Sequence, residues 1–132
     1  MKYNIFKYKM QLYREYIFRI EDLEIERDDI FYTFYGVHGI SFDRVPSSHS
    51  VEMDIAKRDK FNSLIQNIDL ELKSYRESID EYEKILSSLP EEIQRMVRRK
   101  FLDGCTYYQL GKEFGYTPTG VMKHIQKEVE KL

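Results

Sequence analysis

"FGYTPTGVMKHIQKEV", Phe114 to Val129, is the stretch on which the reading of this chain turns. Gly115 suits the left-handed end of a helix, and Thr117 suits the N-cap of the next. Pro118 then falls at the first helical position, where its missing N–H costs nothing. A turn of about three residues is left between the two helices. Beyond it, Val121, Ile125, Val129 and Leu132 recur at helical spacing and are expected to face inward. Thr119, Met122, Lys123, Gln126 and Lys127 are left on the outer side. Either this is a corner that packs the end of the chain, or it is a helix pair that presents its second member to a partner.

The preceding residues sharpen the choice. Thr106 and Gln109 have the spacing of a capping box, and Tyr107, Leu110, Gly111 and Phe114 fall on one side of the helix that follows. Glycine inside a helix costs about 1 kcal/mol relative to alanine, so Gly111 is expected where another helix passes close. Further back, Pro90 fits the first turn of a helix, with Glu91 and Glu92 at its positive end. Ile93, Met96, Val97 and Phe101 make its apolar face; Arg95, Arg98, Arg99 and Lys100 occupy the remainder. Asp103-Gly104 closes it. Two short capped helices, a tight turn and a basic helix before them make the layout of a helix-turn-helix.

The rest of the chain reads differently. Residues 4–35 hold no Pro or Gly, and Tyr13, Tyr16, Ile20, Leu23 and Ile30 follow a 3-4 pattern, with Arg27 a polar interruption. Further aromatics, such as Phe6, Phe18, Phe31 and Tyr32, widen the apolar surface, and "FYTFYG" at the end suits a helix or an extended segment. Gly36 to Ser50 is turn chemistry, with "VHGISF" inside it able to form a short extended piece. Then Phe61, Ile65, Ile68, Leu72, Tyr75, Ile79, Tyr82, Leu86 and Leu89 step alternately by 4 and 3, a heptad seam. The expected fold is all-α: a long antiparallel helical hairpin (a coiled coil) over 1–89 with a connecting loop at 36–50, then a three-helix module over 90–132. The loop suits a plain connector, or a contact to another protein through Phe42, Arg44 and Val45. The aromatics to spare on the first helix are expected to be completed by a second chain, giving a homodimer.

Composition narrows the function. The net charge is −2, but residues 90–132 hold 8 Lys/Arg against 6 Asp/Glu while residues 1–89 hold 13 against 17, so the basic excess sits at the C-terminal end. A single cysteine, Cys105, excludes an intrachain disulfide and a cysteine-based zinc cage. His38, His49 and His124 have no metal-ligand spacing. No phosphate loop, paired-acid motif or nucleophile elbow occurs, so neither an enzyme, a cofactor nor a metal is expected. No apolar run is long enough for a signal peptide or a membrane span, and a cytoplasmic setting without a membrane partner is expected.

The stretch "LPEEIQRMVRRKFLDGCTYYQLGKEFGYTPTGVMKHIQKEVEKL", about a third of the chain, resembles region 4 of bacterial sigma-70 factors. Shared are a Leu-Pro helix start, a capped helix containing Leu-Gly, an aromatic-Gly stop, and a threonine-led helix with Val and Ile four apart. The whole layout is similar to small phage and prophage regulators of the ArpU and RinA type. That resemblance implies a DNA-binding transcription regulator with its recognition helix, about 118–132, in the major groove of double-stranded DNA. Candidate major-groove residues are Thr119, Lys123, Gln126 and Lys127, with Thr117 and Met122 also candidate DNA-binding residues; candidate backbone contacts are Lys112, Arg98, Arg99 and Lys100. The recognition helix departs from the sigma pattern in having no arginine, so two copies are expected to act together. Alternatives are a small-terminase-like DNA-packaging protein, and a protein-interaction module that grips RNA polymerase or a host factor without DNA.

Overall fold

The computed structural model describes residues 1–36 and 55–132. The connector, the extended piece considered at "VHGISF" and the contact considered for Phe42, Arg44 and Val45 lie outside the described residues. The elements are α1 (Tyr3–Tyr35), α2 (Ile55–Ser87), α3 (Glu91–Val97), α4 (Tyr107–Phe114) and α5 (Pro118–Glu130). The described residues are therefore all-α. The ambiguous "FYTFY" is helical to Tyr35, and Gly36 follows at φ 70°.

By packing, the chain forms two compact units: residues 18–76, and residues 1–17 together with 77–132. This division is drawn differently from the one that sequence pattern places at Leu89 and Pro90, because α1 and α2 each contribute to both units.

In the 18–76 unit the two helical segments run antiparallel. Arg19 pairs with Glu71 at 3.4 Å and Arg27 with Asp69 at 2.9 Å, while the Phe31 and Phe61 rings meet edge to face at 5.1 Å. Rising numbers on α1 thus meet falling numbers on α2. The heptad positions Phe61, Ile65, Ile68 and Leu72 are all buried, with Leu23 and Phe31 opposite them. Arg27 interrupts the apolar stripe without leaving a hole. Its guanidinium lies 5.0 Å above the Phe31 ring, so its stem packs while its charge meets both the ring and Asp69.

The other unit has a single core. Phe6, Met10 and Tyr13 of α1 join Tyr82, Leu86 and Leu89 at the end of α2, Ile93, Met96, Val97 and Phe101 around α3, Leu110 of α4, and Val121, Ile125 and Val129 of α5. Each fully buried side chain here contributes roughly 1.5–3 kcal/mol by leaving water. Leu132, expected inward, is 42% exposed, because α5 stops at Glu130 and the last residues no longer hold the helical phase. Pro90 is not in the first turn of α3 but just before it, with ψ 148°. Its carbonyl accepts the Gln94 N–H at 2.9 Å, and the Gln94 amide folds back to the Leu89 carbonyl at 2.7 Å. The basic helix also widens. Arg98–Leu102 form a π-type turn in which the Asp103 N–H reaches the Arg98 carbonyl at 3.0 Å. Gly104, left-handed at φ 79°, ends it as expected.

At Gly111 the close neighbour is the backbone that leads into α5, from Tyr116 in the turn to Pro118 at the first position of that helix. A Cβ on residue 111 would lie 2.5 Å from the Tyr116 carbonyl oxygen. The Gly111 carbonyl in turn accepts the N–H groups of both Gly115 and Tyr116 at 2.9 Å. Alanine would favour the helix by about 1 kcal/mol yet force backbone apart, a strain of about 1–3 kcal/mol. Gly111→Ala is therefore expected to lower the denaturation midpoint followed by circular dichroism; a raised midpoint would contradict the close approach.

Candidate nucleic-acid interface

The geometry of α4, the turn and α5 follows from caps that satisfy backbone donors in sequence order. The Thr106 hydroxyl accepts the Gln109 N–H at 3.1 Å, and the Gln109 side chain accepts the Thr106 N–H at 2.9 Å, a complete capping box. Gly115 ends α4 in the left-handed region at φ 79°. Thr117 starts α5 by accepting the Gly120 N–H at 3.0 Å, with Pro118 at the first helical position. The turn is thereby held from both ends.

These caps fix which way α5 faces. Val121, Ile125 and Val129 have no exposed surface at all. Thr119, Lys123 and Lys127 are exposed, while Met122 and Gln126 are partly exposed beside them. Thr119, Lys123 and Gln126 are spaced i, i+4 and i+7, so they form one row along the helix. The Gln126 amide nitrogen donates to Glu130 at 3.1 Å, and both residues line a depression with Met1, Lys2, Tyr3 and Asn4. Thr117 is exposed, but its hydroxyl is committed to capping.

The α4 side adds Lys112, which is exposed with its ammonium 4.6 Å from the centre of the Tyr108 ring. Two aromatic features were not singled out from the sequence. Tyr108 is 61% exposed on α4, and Tyr116 in the turn stacks on the His124 ring at 5.5 Å. The Glu92 carboxylate beside Tyr116 holds its phenol above the ordinary range and links the turn to the first turn of α3.

The basic cluster ahead of α4 is engaged within the chain. Arg98 donates through both terminal nitrogens to Glu83, which also accepts from the Tyr13 hydroxyl at 2.9 Å. Arg99 donates to Glu113 at 3.1 Å and to Asp103 at 3.4 Å. Lys100 lies 4.5 Å over the Tyr107 ring. Sequence pattern could not reveal these pairings, since Glu83 lies on α2, outside the module that the motif outlines. Among the described residues no group of three or more His, Cys, Asp or Glu could hold a metal ion, and no helix is long and apolar enough to cross a membrane.

Comparison with family models, curated proteins and solved structures finds no match. The surface just described therefore rests on its own chemistry.

The Arg98 guanidinium holds Glu83 below the usual carboxylate range, with help from Tyr13 and Ser87. Because folding lowers this pKa, its stabilisation is complete above the unfolded value, about 4.3, and is lost as pH falls through the lowered folded value. Glu83→Gln is thus expected to be less stable than the parent at neutral pH, with the gap closing as pH falls below about 4. Denaturant midpoints measured across that range test it, and a gap independent of pH would rule out the charge.

Proposed function

We propose that the chain is a DNA-binding transcription regulator of phage or prophage type, in which α3–α5 act as a sigma-region-4-like helix-turn-helix attached to a helical hairpin. The reading is carried by one observation: α5 buries one side completely and leaves Thr119, Lys123 and Lys127 in solvent on the other, with Gln126 beside them.

In this reading Gln126 reads adenine through its carbonyl and remaining N–H. Thr119 touches a phosphate or a thymine methyl, and Met122 supplies apolar contact. Lys123 and Lys127 release counterions at phosphates, and Lys112 holds the backbone from α4. Arg98 and Arg99 take a supporting role, since their guanidinium groups already tie α3 and the residues after it to Glu83 and Glu113. With no arginine on α5, one module reads few bases, so two copies on one site are part of the proposal. RNA polymerase remains the partner through which such a regulator would act.

Selection of bound fragments from random double-stranded DNA tests the function directly; failure to enrich any sequence, at low salt, would overturn it. Given a selected site, Lys123→Ala and Lys127→Ala are each expected to flatten the slope of log affinity against log salt by about one. An unchanged slope would remove that lysine from the interface. Sedimentation showing only a 16.0 kDa species at micromolar concentration, and one copy per site, would overturn the two-copy arrangement.

A further inference from the structure

The positive excess of the unit formed by residues 1–17 and 77–132 comes from its smaller part. Residues 1–17 hold Lys2, Lys7, Lys9 and Arg14 against Glu15, a net of +3, while residues 77–132 hold 9 Lys/Arg against 10 Asp/Glu, a net of −1. Packing therefore brings a basic segment from the far end of the chain to α3–α5.

Three contacts fix where that segment lies. The Tyr3 and Tyr107 hydroxyls meet at 3.1 Å, and Phe6 meets Phe101 edge to face at 6.3 Å. Arg14 reaches Gly104, where a Cβ would lie 3.2 Å from its guanidinium nitrogens. Tyr3, Lys7 and Arg14 are spaced i, i+4 and i+11, so they form one row along α1, and the row borders residues 100–107.

Two cations are seated on the tyrosine pair at the head of this row. Lys7 Nζ lies 5.0 Å from the centre of the Tyr3 ring, and Lys100 Nζ lies 4.5 Å from the centre of the Tyr107 ring. Both lysines are partly exposed. Among the described residues neither ammonium has a carboxylate at ion-pair distance, whereas Lys9 meets Glu81 at 3.3 Å. The carboxylates nearby are engaged elsewhere, Asp103 by Arg99 and Glu130 by Gln126. One O–H proton closes the Tyr3–Tyr107 bond, and the other has no protein acceptor among the described residues. Burial, with Tyr107 beside it, holds the Tyr3 phenol well above its ordinary range, so it stays protonated.

Two ammonium groups and a spare O–H are donors only, and an anion suits them. Position narrows the choice of anion. Lys2, Tyr3 and Asn4 line one depression with Gln126 of α5, so the start of α1 is continuous with the row assigned to DNA. A helix in the major groove, about 12 Å wide, has a sugar-phosphate strand on each side, so a basic segment packed beside α5 has a strand to meet.

We propose that Lys7 and Lys100, seated on the linked Tyr3–Tyr107 pair, hold the phosphate backbone of the duplex whose groove α5 enters, which makes the start of α1 part of the DNA interface. This contact rests on the DNA reading of α5 and adds to it a residue of α1, outside the helix-turn-helix.

The test uses the full chain on a site selected from random double-stranded DNA. Lys7→Gln and Lys100→Gln are each expected to flatten the slope of log affinity against log salt by about one, and the double variant by about two. Lys7→Arg keeps the charge and is expected to keep the parent slope, as is Lys9→Gln, since Lys9 already pairs with Glu81. If Lys123→Ala flattens the slope and Lys7→Gln does not, α1 lies outside the interface, and this contact fails while the DNA reading stands. Equal flattening by Lys9→Gln would overturn it too, because net charge alone would then explain the loss. So would a flattened slope in Lys7→Arg, which would point to altered packing. Failure of the parent to bind any duplex at low salt overturns the DNA reading and this contact with it.

Discussion

The approach of the Tyr116 carbonyl to position 111 is the constraint from which the rest of the candidate interface follows. With a hydrogen in place of a side chain, the turn folds against α4, and two successive N–H groups return to the Gly111 carbonyl. That closure fixes where α5 begins. Because α5 starts at a set point with Thr117 capping it, the helical phase decides every later position: Val121, Ile125 and Val129 go into the core, and Thr119, Lys123 and Lys127 go into solvent. A turn one residue longer would rotate the helix by about 100° and mix the two sets.

Charge is used in two ways in this molecule. Around α3 it is spent inside the chain, where Arg98, Glu83 and Tyr13 join three helical segments in one network and Arg99 bridges to α4 through Glu113. Pairs this exposed contribute little each, but they set how the segments meet. On α5 and α4, by contrast, Lys123, Lys127 and Lys112 keep their ammonium groups at the surface. The residues of 1–17 and 77–132 have 13 Lys/Arg against 11 Asp/Glu, and those of 18–76 have 8 against 12. The two units thus differ in sign, a net of +2 against a net of −4.

The heptad seam of α2 and the line Phe18–Ile25–Tyr32 share a spacing but differ in surroundings. Phe61, Ile65, Ile68 and Leu72 are buried against α1, where Arg27 fills the one polar step by lying on Phe31. The residues of the line on α1 are each about half exposed. Spare aromatics on a first helix look, from sequence, like the mark of a self-complementary dimer.

The sequence by itself determined the local structure: the all-helical content of the described residues, the buried seam of α2, the capping box at Thr106, the left-handed stops at Gly104 and Gly115, and the inward row of α5. These are set by spacing and by backbone donors satisfied within a few residues, so short windows suffice to read them. The row Thr119, Lys123, Gln126 and Lys127 was legible for the same reason, as the remainder of a helix whose other side is apolar. Only the tertiary structure decided that Gly111 accommodates a carbonyl of the turn, that Leu132 falls outside the core, and that Arg98 belongs to Glu83. It also decided that the core around α3–α5 takes in Phe6, Met10 and Leu86. Those outcomes depend on groups far apart in the chain meeting in space, and no periodicity carries that information.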